Sequence, residues 1–412
     1  MGYVGLPLAV TFANANLPVL GLDLSRERVE AINDGRSYIE DVPDDALSRL
    51  TRVGLIEATT SWEEFGSLDA IVICVPTPLT HHREPDLSAI EAATRAISKR
   101  LRPGQTIILE STTYPGTTRE VVAPILAGSG LVPGRDFHLA FSPERVDPGR
   151  EDYTTPSTPK VIGGLTPECT EMALTYYGAA FEEMVPVASP EIAEMTKLLE
   201  NIFRSVNIAL VNELAMLCDR MDIDVWEVIR AASTKPFGFM PFSPGPGLGG
   251  HCIPIDPFYL TWKAREFDMH TEFIELAGKV NSQMPAFSVG KVVRALNEEG
   301  KSLNGSDILI LGVAYKPNIN DTRESPALKI MNLLREAGAS VSYHDPHVDT
   351  LDPQGLASVA LDDGALKDAD AVVVVTDHDA IDWQLVGAAA AVIVDLRHRL
   401  RTDEVAGRLW SL

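Results

Sequence analysis

The residues with the plainest chemistry lie in GPGLGGHCIPIDPFYL, residues 245–260. Cys252 follows Gly245, Gly247, Gly249 and Gly250, and one carboxylate, Asp256, stands four residues beyond it. Glycine has no Cβ and tolerates positive φ, so a substrate can come close to backbone N–H groups in such a loop. A thiol there is accessible, and His251 with the loop amides would favour its thiolate, the form that attacks. The competing reading is a tight turn around a buried cysteine that serves as a small hydrophobe. Upstream, Lys197 and Asn201 are spaced i and i+4 and share one helix face. Such a pair is either solvated surface or a cation and an amide offered to one developing oxyanion.

These residues need elements to hold them. The opening MGYVGLPLAVTFANANLPVLGLD places Gly2 and Gly5 before an apolar helical pattern, then a short strand ending at Asp23. A dinucleotide fingerprint is strand, G-x-G-x-x-G, helix, strand and an acid that takes the ribose hydroxyls. The last two glycines, the helix and the acid are present; the first strand and first glycine are not. The expectation is that Met1 corresponds to an internal position of a longer chain. Asp23 favours NAD over NADP, because a carboxylate repels a 2′-phosphate. DAIVICV (69–75), QTIILES (105–111), FHLAFS (137–142), KVIGGL (160–165) and EMVPVA (183–188) then read as buried parallel strands of a doubly wound α/β domain. Ligands bind beyond the carboxyl ends of such strands, where VPTP (75–78), ESTTYPGTT (110–118) and SPERVDPG (142–149) lie. Thr112 and Glu144 are the polar candidates in those loops, although Pro and Thr are also ordinary turn formers.

From Ser189 apolar residues recur at helical spacing for some thirty positions, suiting a domain connector or a dimer interface. Further helices are expected at VWEVIRAAS and from about Phe258 to Glu299. SDILILGVAYK, ALKIMNLLREAG, SVSYHDP, DAVVVVTDH and AVIVDLR restore α/β alternation as a second nucleotide-binding-like domain. Its first turn, residues 312–326, lacks a second glycine for a pyrophosphate and holds Lys316, Arg323 and Glu324, implying a different ligand or only part of a nucleotide. The expected organisation is two Rossmann-like doubly wound domains, residues 1–188 and 301–412, joined by a long central helix and a helical middle domain, residues 189–300. Two such domains around a helical core make a cleft, which Cys252 is expected to face.

Composition excludes some functions. The net charge of −23 and pI near 4.8 argue against a nucleic-acid-binding surface. Four scattered cysteines form neither a disulfide framework nor a zinc pattern, so no metal is expected and a reducing cytoplasm fits. No apolar run of membrane-spanning length and no signal peptide is found in the sequence.

Together GYVGLPLA, VPTP, EST, SPER, K-x-x-x-N, GPGLGGHCIPIDP and VAYKPNINDTRESP resemble the nucleotide-sugar 6-dehydrogenases, the UDP-glucose and GDP-mannose dehydrogenase family, over essentially the whole chain. GGHCIPIDPFYLTWKA looks most like the UDP-N-acetylglucosamine 6-dehydrogenase branch. The resemblance implies oxidation of a sugar C6 hydroxyl to a carboxylate, two NAD being reduced in sequence through a cysteine thiohemiacetal and thioester. It implies Cys252 as nucleophile, Lys197 and Asn201 at the oxyanions, Asp256 orienting Lys197 or activating water, and Thr112 and Glu144 near that water. NAD would contact Gly2, Tyr3, Val4, Gly5, Asp23, Arg28, Pro76, Thr77 and Thr112. The UDP-sugar would contact Glu144, Arg145, Lys197, Asn201, Gly249, Gly250, Lys316 and Arg323. A homodimer through the long helix and a role in polysaccharide biosynthesis also follow from the resemblance. Relatives often carry a second glutamate where this chain has Pro148, leaving Glu144 or Asp147 to serve hydrolysis. Two alternatives stand beside this reading: a one-step NAD-dependent dehydrogenase with a structural Cys252, and an inactive nucleotide-sugar-binding protein with a damaged cofactor site.

Overall fold

The computed structural model describes residues 1–39, 41–80, 84–145, 154–250, 253–352 and 355–412. The chain packs as two units, Met1–Glu200 with Phe258–Met269, and Asn201–Pro257 with His270–Leu412.

The first unit opens with α1 (Gly5–Asn14), β1 (Val19–Leu22), α2 (Arg26–Asn33), α3 (Asp44–Arg52) and β2 (Ile56–Thr59). It continues through β3 (Ala70–Ile73), α4 (Ser88–Ser98), β4 (Thr106–Leu109), α5 (Ala123–Ala127), β5 (His138–Phe141), β6 (Lys160–Gly164), α6 (Pro167–Tyr177) and β7 (Met184–Val187). β1 and β2 form a parallel pair of their own, while the main sheet runs β3-β4-β5-β6-β7. Helix α1 links the two. Its Leu6 and Ala13 pack with Val29, Leu47 and Ile56, and its Leu8 and Phe12 pack with Ile108, Ala140 and Ile162 of the main sheet. Phe12 meets Tyr177 of α6 edge-on at 5.2 Å, an aromatic pair contributing roughly 0.5–1.5 kcal/mol beyond its buried area.

The expectation of parallel strands throughout needs one correction. β5 and β6 run antiparallel, with Ala140 opposite Gly164 and Phe141 opposite Gly163. Parallel neighbours need a crossover, usually a helix. The described residues between β5 and β6 contain no helix, so the chain turns back on itself.

α7 (Pro190–Met221) has 32 residues and contributes to both units. α8 (Val225–Ala232), α9 (Asp256–Ala264) and α10 (Glu272–Glu298) follow. The helical region expected from about Phe258 to Glu299 holds two helices, α9 and α10. A short 3-10 turn, Arg265–Phe267, follows α9 and ends at Asp268, in the left-handed region at φ 54°; α10 starts four residues later.

The second unit continues with β8 (Asp307–Leu311), α11 (Pro326–Glu336), β9 (Ser340–His344), β10 (Thr350–Leu351), β11 (Leu356–Ala357), α12 (Asp363–Asp368), β12 (Ala371–Val374), α13 (Trp383–Ala389), β13 (Val392–Asp395) and β14 (Arg408–Ser411). Its parallel sheet has the order β14-β13-β12-β8-β9. Alternate residues serve opposite faces. Ile308, Ile310, Val373 and Val394 pack with Met284, Val292 and Leu296 of α10 and Ile330 of α11. Leu309, Leu311, Val372 and Val374 pack with Leu366 and Val386 from α12 and α13. Burial on both faces is what a parallel sheet requires. Among the described residues no helix is long and apolar enough to cross a membrane.

Candidate active site

The buried face of α7 is polar at helical spacing. Glu194, Lys197, Asn201, Ser205 and Asn212 recur at intervals of three, four, four and seven residues, and each is at most 6% exposed. Glu194 accepts from Gly116 N at 2.6 Å, Thr118 N at 2.9 Å and Thr118 Oγ1 at 2.7 Å. It thereby fastens to α7 the loop after β4 that carries Thr112. Burial pushes the Glu194 carboxyl up to about 7, against the pull of the Thr118 and Gly116 donors. One turn on, the Lys197 ammonium has no hydrogen bond or ion pair among the described residues, although its side chain is buried. A buried cation without a partner is costly unless a ligand supplies the opposite charge.

Asn201 donates from Nδ2 to Asp256 Oδ2 at 2.5 Å and accepts from Arg204 Nη2 at 2.5 Å. The spacing of Asp256 from the cysteine loop therefore ties the start of α9 to α7. Cys252 and His251 lie outside the described residues, as do Asp147 and Pro148; the glycines ahead of Cys252 are described. Gly245 N donates to Asn212 Oδ1 at 2.9 Å, Asn212 Nδ2 to Asn281 Oδ1 at 2.9 Å, and Asn281 Nδ2 to Ser205 O at 3.1 Å. This chain of buried amides holds the glycine loop between α7 and α10. A Cβ at Gly249 would lie 2.6 Å from Tyr315 Cβ, and one at Gly250 2.9 Å from the Tyr315 ring. Gly250 also has φ +83°, so glycine is required there both for space and for backbone shape. Its N–H donates to Arg323 O at 3.1 Å.

In the first unit the amino end of α1, beside Gly2, Tyr3, Val4 and Gly5, has no side-chain cap hydrogen bond, and the amino end of a helix favours an anion. A Cβ at Gly2 would meet nothing within 4 Å, whereas Gly5 faces Cys74 beyond β3. Asp23, just past β1, accepts from the Met1 ammonium at 2.7 Å and Ser25 N at 2.9 Å, with Arg28 Nη1 at 3.5 Å. Burial works against its charge, but these donors outweigh it and hold the carboxyl below the usual range. Pro76 is exposed, Thr77 is buried with its carbonyl accepting from Tyr259 OH at 2.8 Å, and Thr112 is half-buried. An uncapped helix end beside a strand-end carboxylate fits a dinucleotide.

Glu144 follows β5, its Oε2 3.4 Å from Lys160 Nζ. Arg145 turns instead to Glu200, with Nε and Nη2 at 3.0 and 2.7 Å from Oε1, and donates from Nη1 to Pro159 O at 2.6 Å. In the second unit Arg323 pairs with Asp321 at 2.6 Å and Lys316 is half-buried. Where a phosphate would meet the turn after β8, Asp345 Oδ2 accepts from Val313 N at 2.7 Å and Ala314 N at 3.1 Å. Burial alone would raise Asp345, but His378, 3.0 Å away, and the backbone donors hold it low.

Sequence reasoning placed Lys197 and Asn201 on one helix face but did not mark the buried polar residues Glu194, Asn212 and Asn281. Their signal was polar residues at positions where the helical period calls for apolar ones.

Three family models match the chain in order: the NAD binding domain of the UDP-glucose/GDP-mannose dehydrogenase family over residues 1–180, its central domain over 191–283 and its UDP binding domain over 309–402. Protein CapL of Staphylococcus aureus is 35% identical, covering 100% of this chain and 98% of that protein. UDP-N-acetyl-D-glucosamine 6-dehydrogenase of Pseudomonas aeruginosa is 34% identical, covering 99% and 98%. The solved UDP-D-ManNAc dehydrogenase of Pyrococcus horikoshii superposes with a TM-score of 0.91 at 33% identity, covering 100% and 97%. The chain belongs to the UDP-glucose/GDP-mannose dehydrogenase family, NAD-dependent oxidoreductases of nucleotide sugars.

Proposed function

We propose that the protein oxidises the C6 hydroxyl of a UDP-N-acetylhexosamine, UDP-N-acetylglucosamine first among them, to the uronic acid. The observation that supports this is the buried Lys197 ammonium, which has no hydrogen bond or ion pair among the described residues, one turn before the Asn201–Asp256 pair. A cation and an amide on one helix face suit the oxyanions that arise twice in a four-electron oxidation. Bound NAD supplies the hydride acceptor. In the first oxidation the C6 hydroxyl passes its proton to water and Lys197 takes up the charge of the alkoxide as the hydride leaves. The Cys252 thiolate then adds to the aldehyde carbon, and loss of a second hydride leaves a thioester. Water adds to the thioester carbonyl with Glu144 taking its proton, and the C–S bond breaks to return the thiolate. Asp256 orients Asn201 within this set, and Thr112 stands with Glu144 at the water.

Asp23 and the residues around Gly2 and Gly5 are assigned to NAD, with Arg28, Pro76 and Thr77. Gly249, Gly250, Arg145, Lys316 and Arg323 are assigned to the UDP-sugar. A second reading, UDP-N-acetylmannosamine as the substrate, draws on the Pyrococcus horikoshii proteins named for that sugar. We place the reaction in the cytoplasm, with polysaccharide precursors as its product, and read the chain as a homodimer joined along α7. Ile192, Met195, Leu199, Phe203, Leu210, Leu214 and Leu217 leave an exposed apolar stripe there. The test is the NADH released per UDP-sugar consumed, with the two N-acetyl epimers compared, for wild type and Cys252→Ser. Two NADH per sugar, lost in the variant, supports the thioester route; one NADH with an indifferent variant sinks it.

A further inference from the structure

Behind Glu144 lies a buried group of ionisable side chains that no step above uses. Lys160, at the start of β6, is 3% exposed, and its Nζ is 2.5 Å from Glu110 Oε1 and 3.4 Å from Glu144 Oε2. Glu110, just past β4, is 1% exposed; its Oε1 also accepts from Tyr177 OH at 2.8 Å, and its Oε2 is 3.7 Å from Cys74 Sγ. The Lys160 ammonium lies 5.5 and 5.3 Å from the ring centres of Tyr177 and Phe181. The groups facing it are therefore Cys74 beyond β3, Glu110 beyond β4, Glu144 beyond β5 and Tyr177 at the end of α6, with the Met1 ammonium acting on Cys74 from farther off. One cation thus serves two carboxylates at unequal distances in an apolar setting. Burial raises Glu110 above the usual range despite Lys160. A plain structural ion pair would need only Glu110; the second carboxylate is the one on the loop after β5.

We propose that Lys160 is a positioning residue for Glu144. Its ammonium keeps that carboxylate charged and oriented to take the proton of the water that cleaves the thioester, while Glu110 governs how much of the positive charge Glu144 receives. This rests on the thioester reading above. Losing the cation leaves Glu144 near a buried carboxylate, so Glu144 holds its proton to higher pH. Neutralising Glu110 does the reverse.

The experiment uses the full chain as wild type, Lys160→Met, Lys160→Arg and Glu110→Gln. It records the first-turnover NADH burst, steady-state kcat and the pH profile of kcat. In Lys160→Met we expect the two-NADH burst to persist, kcat to fall about 10- to 100-fold and the acidic limb to move up by about one pH unit. Lys160→Arg should recover most of kcat. Glu110→Gln, which keeps an acceptor for Tyr177, should move the limb down, and this opposite sign remains readable if Lys160→Met fails to fold. Burst and kcat falling together with an unmoved limb, or both variants shifting it the same way, would overturn the proposal. One NADH per sugar in wild type itself would instead remove the thioester, and the proposal with it.

Discussion

Replacing Glu194 by glutamine tests how α7 holds the loop after β4. Both carboxylate oxygens of Glu194 accept hydrogen bonds, Oε2 from Gly116 N and Oε1 from Thr118 N and Oγ1. Glutamine keeps one acceptor but turns an NH2 toward Gly116 N–H, leaving a buried donor unpaired at a cost of about 1–3 kcal/mol. The wild-type carboxyl titrates at about 7 in the folded chain against an ordinary 4.5. Between those pH values the folded state keeps a proton that the unfolded state has lost, so this group's contribution to stability falls as pH rises and levels off above about 7. The change amounts to about 3 kcal/mol. Glutamine cannot titrate, so the variant lacks this term while sharing every other group.

The assay is thermal and urea unfolding of wild type and Glu194→Gln at pH 5, 6, 7 and 8. At pH 5 the variant should be less stable by about 1–3 kcal/mol. By pH 8 the difference should have moved about 3 kcal/mol in the variant's favour, a relative change in Tm of roughly 6–12 °C for a unit of this size. A difference constant across the range to within about 0.5 kcal/mol would refute the reading, because it would show that Glu194 titrates alike in both states.

Other perturbations give simpler outcomes. Gly312 has φ +78°, and a Cβ there would lie 2.1 Å from Thr376 O, so Gly312→Ala should cost roughly 3 kcal/mol or more; a Tm close to wild type would show that the turn can open. Asn281→Leu and Asn212→Leu break one buried amide chain, so their double-mutant cycle should show about 1–2 kcal/mol of coupling in unfolding free energy, whereas additive losses would deny the chain. Leu210→Glu with Leu214→Glu alters two exposed α7 residues, 55% and 39% accessible, and should halve the mass measured by light scattering with little change in folding; an unchanged mass would dissolve the proposed dimer stripe.

Legibility in the sequence followed the range of the interactions. The two sheets and α7 were readable because β-branched runs and helical periodicity are local signals, and each sits within a few residues of its predicted span. The antiparallel β5–β6 pair was hidden because direction depends on the connection, not on either strand's composition. Where the turn between α9 and α10 ends was not readable, because Asp268 enters the left-handed region without marking itself as glycine would. At the site, the Lys197–Asn201 face was visible from spacing alone. The partners that hold it are 76 to 78 residues away for Glu194 and 55 for Asn201, and no periodicity reaches that far. Arg145 shows the same limit from the other side: its motif marks it, but only the fold reveals Glu200 on its guanidinium.

The second unit's domain shows how a nucleotide fold changes its ligand without changing its sheet. Its strand order places a switch point between β8 and β12, where open α/β sheets take their ligands. The amides of Val313 and Ala314 there already hold an anion, the Asp345 carboxylate just past β9, and Asp345 is in turn bonded by His378 beyond β12. Gly312 is needed because Thr376 O crosses so close to it. A pyrophosphate at those amides would have to displace a buried carboxylate held low by its donors, so the turn after β8 is closed to the role it has in a dinucleotide domain. The outer part of the same loop carries Lys316 and Arg323; Arg323 pairs with Asp321, and Gly250 N donates to Arg323 O. The missing second glycine thus has a physical sense: the amides a pyrophosphate would use already hold the fold's own anion.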